Sequence, residues 1–149
     1  MFKPRVGEAG GQCGVLKTPW MAGPRTAIGL PVLVSVTCFE AERRRDLAGV
    51  YLAGWRLRRA WPDLPGAVGV WLWSRPLAAE AGSVSVWVSR AALRAFVALP
   101  EHMRIMHRYR RRGRVRSTTW TAPWSSPEQV WTQASRWLVQ AASGAETGG

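Results

Sequence analysis

With 149 residues and 47% hydrophobic content, the chain suits one globular domain with a substantial core, and no apolar run approaches the ~20 residues of a membrane-spanning helix. Twenty-one Lys and Arg against nine Asp and Glu give a formal net charge of +12, which raises nucleic acid or an anionic surface as partners. The excess is nearly all arginine, alongside abundant Ala, Gly, Val and Trp, a mix also typical of a GC-rich bacterial coding bias.

Residues 1–27 hold Gly, Pro, Lys and Arg without a hydrophobic period and are expected to form a disordered leader, with Met21 a candidate start. The segment lacks the apolar stretch of a secretory signal. Two cysteines, Cys13 and Cys38, are too few for a disulfide framework. A cytoplasmic location is therefore expected.

The domain proper is read over 28–142. "PVLVSVTCF" (31–39) is β-branched, bounded by proline, and predicts a strand. From Glu42 to Trp61, Leu47, Val50, Tyr51, Gly54, Leu57 and Trp61 recur at three- and four-residue spacing, one face of a helix stopped by Pro62. "AVGVWLWS" (67–74) and "SVSVWVS" (83–89) predict an antiparallel hairpin. Ser89 suits the cap of a helix carrying Leu93, Phe96 and Val97 inward. Pro100 interrupts it, and a second piece is expected from Glu101 to about Arg111, with Gly113 as its left-handed stop. "RVRSTTWTA" (114–122) predicts the fourth strand. Ser126-Pro127-Glu128-Gln129 resembles a capping box with Pro at the first helical position, opening a helix with Val130, Trp131, Ala134, Trp137 and Leu138 inward. Residues 143–149 are expected to be a flexible tail.

The order β-α-β-β-α-β plus a C-terminal helix predicts a ferredoxin-like α+β domain: helices on one face of a four-stranded antiparallel sheet. Alternation along each strand sorts the side chains into two sets. Val32, Val34, Val36, Val68, Val70, Leu72, Val84, Val86 and Val88 are expected to meet the helices. The opposite face is expected to carry Ser35, Thr37, Gly69, Trp71, Trp73, Ser83, Ser85, Trp87, Thr118 and Trp120. Indole walls with small hydroxyls between them suit a ligand cavity. The same indoles also suit a dry subunit interface, since aromatics are enriched there. A second copy placing its sheet against this one would close a barrel, which predicts a homodimer.

"SVSVWVSRAALRAFVALPEHMRIMHRYRRRGRVRSTTW" (83–120) resembles the dimeric α/β-barrel superfamily of antibiotic-biosynthesis-type monooxygenases. Its Ser-x-Ser-x-Trp strand leads to a helix with Leu and Phe, then His102, then Met106 four residues on. The chain is most similar to spheroidene-monooxygenase-like proteins and an uncharacterised monooxygenase-like group, which "TTWTAPWSSPEQVW" (118–131) also resembles. The resemblance covers about residues 30–138 and implies a monooxygenase-like enzyme acting on a hydrophobic, aromatic or polyene substrate. Thr37, Trp71, Trp73, Ser85, Trp87 and Trp120 are then the candidate substrate-binding residues and His102 the candidate base. No cofactor is expected, with a haem on His102 as the alternative. Proteins of this fold carry many activities, so the fold alone does not name a reaction.

His102 and Met106 share one helix face, so both cannot bind opposite sides of one iron, whereas a single axial histidine can. No Cys, His or carboxylate cluster has zinc-like spacing, and no metal site is expected. Arg104, Arg108, Arg111 and Arg112 form a basic stripe that phosphates could use. Only Tyr109 accompanies them as an aromatic, and cations near a helix C-terminus also answer the helix dipole. A nucleic-acid-binding or non-catalytic ligand-binding role is therefore the further alternative.

Overall fold

The computed structural model describes residues 14–146. Six strands form one antiparallel sheet: β1 Leu16–Lys17, β2 Met21–Ala22, β3 Pro31–Ala41, β4 Ala67–Arg75, β5 Glu80–Trp87 and β6 Gly113–Pro123. The α-helices among the described residues are α1 Arg44–Arg59, α2 Arg90–Val97, α3 Pro100–Tyr109 and α4 Pro127–Glu146, with single 3-10 turns at Trp61–Asp63 and Pro76–Ala78. The strand order is β1-β4-β5-β3-β6, with β2 also paired to β4. Its β4-β5-β3-β6 core, with α1 and α2–α3 as the two connections, is the ferredoxin-like arrangement expected from the sequence.

Local chemistry sets the helix boundaries. Ser89 caps α2, its hydroxyl accepting from Ala92 N–H at 3.1 Å. Pro100 opens α3 at a position where its missing N–H is harmless. Ser126 accepts from Gln129 N–H at 3.4 Å at the start of α4. Gly113 differs from expectation: α3 ends at Tyr109 and Gly113 starts β6. Glycine stands there because a Cβ would lie 2.2 Å from the Glu40 carbonyl oxygen and 2.6 Å from the Phe39 ring.

From Gly14 onward the segment expected as a leader meets the sheet; residues 1–13, with Cys13, lie outside the described residues. β1 pairs Leu16 with Ser74 and Lys17 with Trp73, and β2 pairs Met21 with Val70. Between them Thr18 exchanges bonds with Leu72, its N–H donating to the Leu72 carbonyl at 2.9 Å and its hydroxyl accepting from Leu72 N–H at 3.1 Å. Trp20 covers Gly69, where any Cβ would lie 1.8 Å from the indole. Two-residue strands are too short to show a period, so composition alone read as disorder. At the other end α4 continues to Glu146 across the expected tail, whose residues 147–149 lie outside the described residues.

Cross-strand pairing decides the two sheet faces, and it corrects the expected partition. Trp71 sits opposite Val84 and Trp120 opposite Val34, so the indoles of β4 and β6 share a face with the valines of β3 and β5. That face packs beneath α4, where Val130, Ala134 and Leu138 join Val32, Val34, Val36, Cys38, Trp71, Trp73, Val84 and Val86 in the principal core. Trp20, Trp124, Trp131 and Trp137 close it further. The face expected to await a second copy's sheet is thus covered by this chain's own C-terminal helix and N-terminal segment. A bulge between Ala67 and Gly69 inserts Val68 into this side and sends Val70 and Leu72 to the other.

Candidate ligand cavity

Helices α1, α2 and α3 cover the opposite face without filling it. They leave a cavity of about 400 Å³ between their inner sides and strands β3, β4, β5 and β6. Its floor is an array of hydroxyls dictated by register. Ser35 lies between Ser85 and Thr119, and Thr37 lies between Ser83 and Ser117. With strands ~4.8 Å apart and alternate residues ~6.8 Å apart, these six side chains form a two-by-three grid. Thr37 and Ser83 share a hydroxyl–hydroxyl bond of 2.9 Å. Ser85 accepts from the Trp87 indole N–H at 2.9 Å.

The roof is apolar, with Val50, Leu57, Leu93, Phe96, Ile105 and Met106 among its residues. Gly54 contributes by absence: a Cβ there would press on Leu72 at 3.3 Å. Burial marks the orientation. Ser35, Arg58, Trp61 and Ser85 are buried at one end, whereas Val97, Met106, Arg110, Val115, Ser117 and Thr119 are exposed and rim the mouth.

His102, on α3, lines this cavity. Its Nδ1 lies 3.1 Å from the Val97 carbonyl oxygen. A carbonyl only accepts, so in the neutral ring Nδ1 carries the hydrogen and Nε2 keeps the lone pair. Burial lowers the His102 pKa, opposed in part by the Val97 bond. The Phe96 ring meets the imidazole edge-on at 4.9 Å and fixes its plane. A neutral imidazole with one proton-accepting nitrogen, beside hydroxyls and an apolar roof, can take a proton from a bound ligand.

Of the residues singled out from sequence, Thr37, Ser85 and His102 line this cavity. Trp87 is fully buried behind its end wall, packed on Trp61 at 5.1 Å and Phe96 at 5.2 Å. Trp71, Trp73 and Trp120 lie on the far side of the sheet. Trp71 packs on Trp20 at 4.4 Å and Trp131 at 5.6 Å, Arg75 lies 5.5 Å over Trp73, and the Trp120 indole donates to Gln133 of α4 at 3.0 Å. Ser117, Thr119 and Arg58 line the cavity without having been singled out, and Tyr109, noted in the sequence only beside the arginine stripe, lines it too. The signal for the first two was the Ser117-x-Thr119 alternation itself, which matches Ser83-x-Ser85 and Ser35-x-Thr37 once β6 is placed in that register.

The arginine run divides among separate tasks. Arg108 lies 5.6 Å over the Tyr109 ring, and Arg112 pairs with Asp46 at 3.1 Å. Arg110 rims the cavity. Arg116 reaches Glu80 at 3.4 Å, and the same carboxylate pairs with Arg75. Arg75 also donates to the Leu138 carbonyl at 3.3 Å, tying α4 to the sheet. Beside this cluster the buried Cys38 thiol is pushed up to about 11, by burial first and the Glu80 charge second.

No family model matches the sequence, and no curated protein matches it. Solved structures do. SnoaB, a cofactor-independent oxygenase from Streptomyces nogalater, superposes with a TM-score of 0.50 at 19% identity, over 64% of this chain and 97% of that one. A ferredoxin-fold protein from Listeria monocytogenes related to antibiotic biosynthesis monooxygenases gives 0.53 at 14% identity, over 74% and 63%. A dimeric ferredoxin-like protein from Jannaschia gives 0.52 at 18%, over 60% and 97%. The fold is theirs. Nearly all of SnoaB and of the Jannaschia protein is matched by about the share of this chain that β3 to β6 occupies. Among the described residues no helix is long and apolar enough to cross a membrane.

Proposed function

We propose that the protein is a monooxygenase-like enzyme that binds a hydrophobic, aromatic or polyene small molecule in the cavity between α1–α3 and the sheet. The observation that carries this reading is the placement of His102: a neutral, carbonyl-oriented imidazole on the wall of an apolar cavity floored by hydroxyls. The kinship in fold with SnoaB supports it.

Nε2 of His102 takes a proton from an activated carbon or phenol of the ligand, and the hydroxyl grid orients the ligand's oxygens. The electron-rich anion then reduces dioxygen directly. For a methylene substrate the carbon gives up two hydrogens and gains one oxygen as a carbonyl, and the second oxygen leaves as water, so no external reductant is required. The apolar roof excludes water from the anion.

A haem is the second reading, favoured by the same tautomer: an imidazole whose Nδ1–H is held by a carbonyl presents Nε2 to a metal. His102 would hold the iron, which would supply oxygen activation. A homodimer, which the dimeric Jannaschia neighbour supports, would use a surface other than the α4-covered face.

The test is oxygen uptake and a product mass increase with a panel of ionisable polycyclic phenols, with no added cofactor. His102→Ala should lower the rate ~10²-fold or more. No uptake with any member, or full activity in His102→Ala, contradicts the reading. A Soret band on hemin addition that is lost in His102→Ala would establish the second reading instead.

A further inference from the structure

We propose that the ligand of this cavity is an apolar carboxylic acid whose carboxylate is taken by Arg58 at the buried end; this rests on the ligand-cavity reading above. Arg58 lies on the last turn of α1 and is only 8% exposed. Its guanidinium stacks 4.7 Å from the Trp55 ring, and Nη2 donates to the Pro19 carbonyl at 2.9 Å. Its Nε has no hydrogen-bond partner, and no carboxylate pairs with it, among the described residues. Arginine is rarely buried without an anion, because a lone guanidinium in low dielectric loses hydration that one carbonyl does not replace.

The rest of the lining agrees. Arg58 and Arg110 border the cavity, and among the described residues no Asp or Glu does. His102 adds no compensating negative charge in either protonation state. The two arginines join the wall at separate points. Tyr109 reaches Gly49, whose Cβ would lie 2.5 Å from the phenol oxygen, and Arg58 follows nine residues later, ~13 Å along α1. Arg110 is exposed at the mouth, where water screens it; Arg58 is not. An acid of up to about this length, carboxylate inward, places its body under Leu57, Phe96 and Ile105 and its edge over the hydroxyl grid. Tethering Pro19 does not require a charge, since a neutral amide donates to a carbonyl as well.

Calorimetric titration with matched pairs tests the assignment: benzoate and benzamide, 2-naphthoate and 2-naphthamide, anthracene-2-carboxylate and its amide. For the pair that fits best, the acid should bind about tenfold or more tightly than its amide. The preference should vanish in Arg58→Gln, which keeps a donor for Pro19, and in Arg58→Met, and it should survive in Arg110→Met. Far-UV circular dichroism checks the fold, and the wild-type comparison needs no variant. Equal binding of acid and amide by the wild-type protein, or a preference that survives both Arg58 variants, overturns the assignment while leaving the cavity reading intact. Failure of every acid and every amide to bind overturns both.

Discussion

Truncating Leu138 to alanine measures whether α4 covers the sheet in solution. Leu138 is 1% exposed and continues the stripe of Val130 and Ala134 that meets Val34, Val36, Cys38 and Trp73. The change removes three carbons, worth ~0.8 kcal/mol each in transfer alone, or ~2.4 kcal/mol. Incomplete collapse of the space left behind adds to that, placing the loss at about 3 kcal/mol within the range of ~2–5 for such truncations. A domain of this size is stable by only ~5–15 kcal/mol, so the effect is a large fraction of the whole. Urea denaturation followed by circular dichroism should show it as a lowered midpoint with an unchanged slope, and thermal melting as a fall of roughly 6–12 °C. Gln140→Ala, at an exposed position of the same helix, should stay within ~0.5 kcal/mol. If Leu138→Ala is no more destabilising than Gln140→Ala, α4 does not seat on this face, and the face is open to another cover.

Two further outcomes follow from the titratable groups. Cys38, buried with its pKa raised to about 11, should resist thiol-reactive probes at pH 8 in the native protein and react fully in denaturant. His102 has its folded-state pKa lowered by burial, so the unfolded chain takes up the proton first as pH falls. Its contribution to stability is therefore complete above about pH 6.5, the ordinary histidine value, and is lost below that toward the lowered folded value. An NMR titration should show the His102 ring titrating below about pH 6.5, and His102→Gln should remove its share of the acid-side loss; a His102 midpoint above that value refutes the environment described.

Much of the architecture was legible because it rests on local signals. The β-branched run of β3, the three-and-four spacing of α1, Ser89 before α2 and Pro127 at the start of α4 each identify an element without reference to the rest of the chain. The partition of the sheet was not legible in the same way. Alternation separates Val70 and Leu72 from Trp71 and Trp73, but only pairing decides which pair joins Val84, and the bulge at Val68 lies within that decision. Sorting by chemical likeness put all the β4 aliphatics with the valines and the indoles with the hydroxyls, and pairing reversed this. Seven of the ten tryptophans, Trp20, Trp71, Trp73, Trp120, Trp124, Trp131 and Trp137, consequently build the core under α4. His102 was singled out through the resemblance carried by residues 83–120, and the structure sets it in the first turn of α3 with its ring turned back toward the end of α2. Arg58 was not, because it interrupts an apolar helix stripe and its burial depends on Trp55 and on the N-terminal segment that composition had marked as disordered.

The central claim is that the ligand site lies on the hydroxyl face, under α1–α3, and not among the tryptophans. Ser117 borders the mouth of the cavity from β6, opposite Thr37, on an edge strand where a large aromatic is tolerated. Trp71 lies on the other face. The most direct measurement is the affinity of 2-naphthamide, or of the matched amide that binds best, for wild type, Ser117→Trp and Trp71→Phe, each checked for fold. Ser117→Trp should abolish binding, and Trp71→Phe should leave it within about twofold. Binding that survives Ser117→Trp and is lost in Trp71→Phe would place the ligand on the tryptophan face and contradict the account.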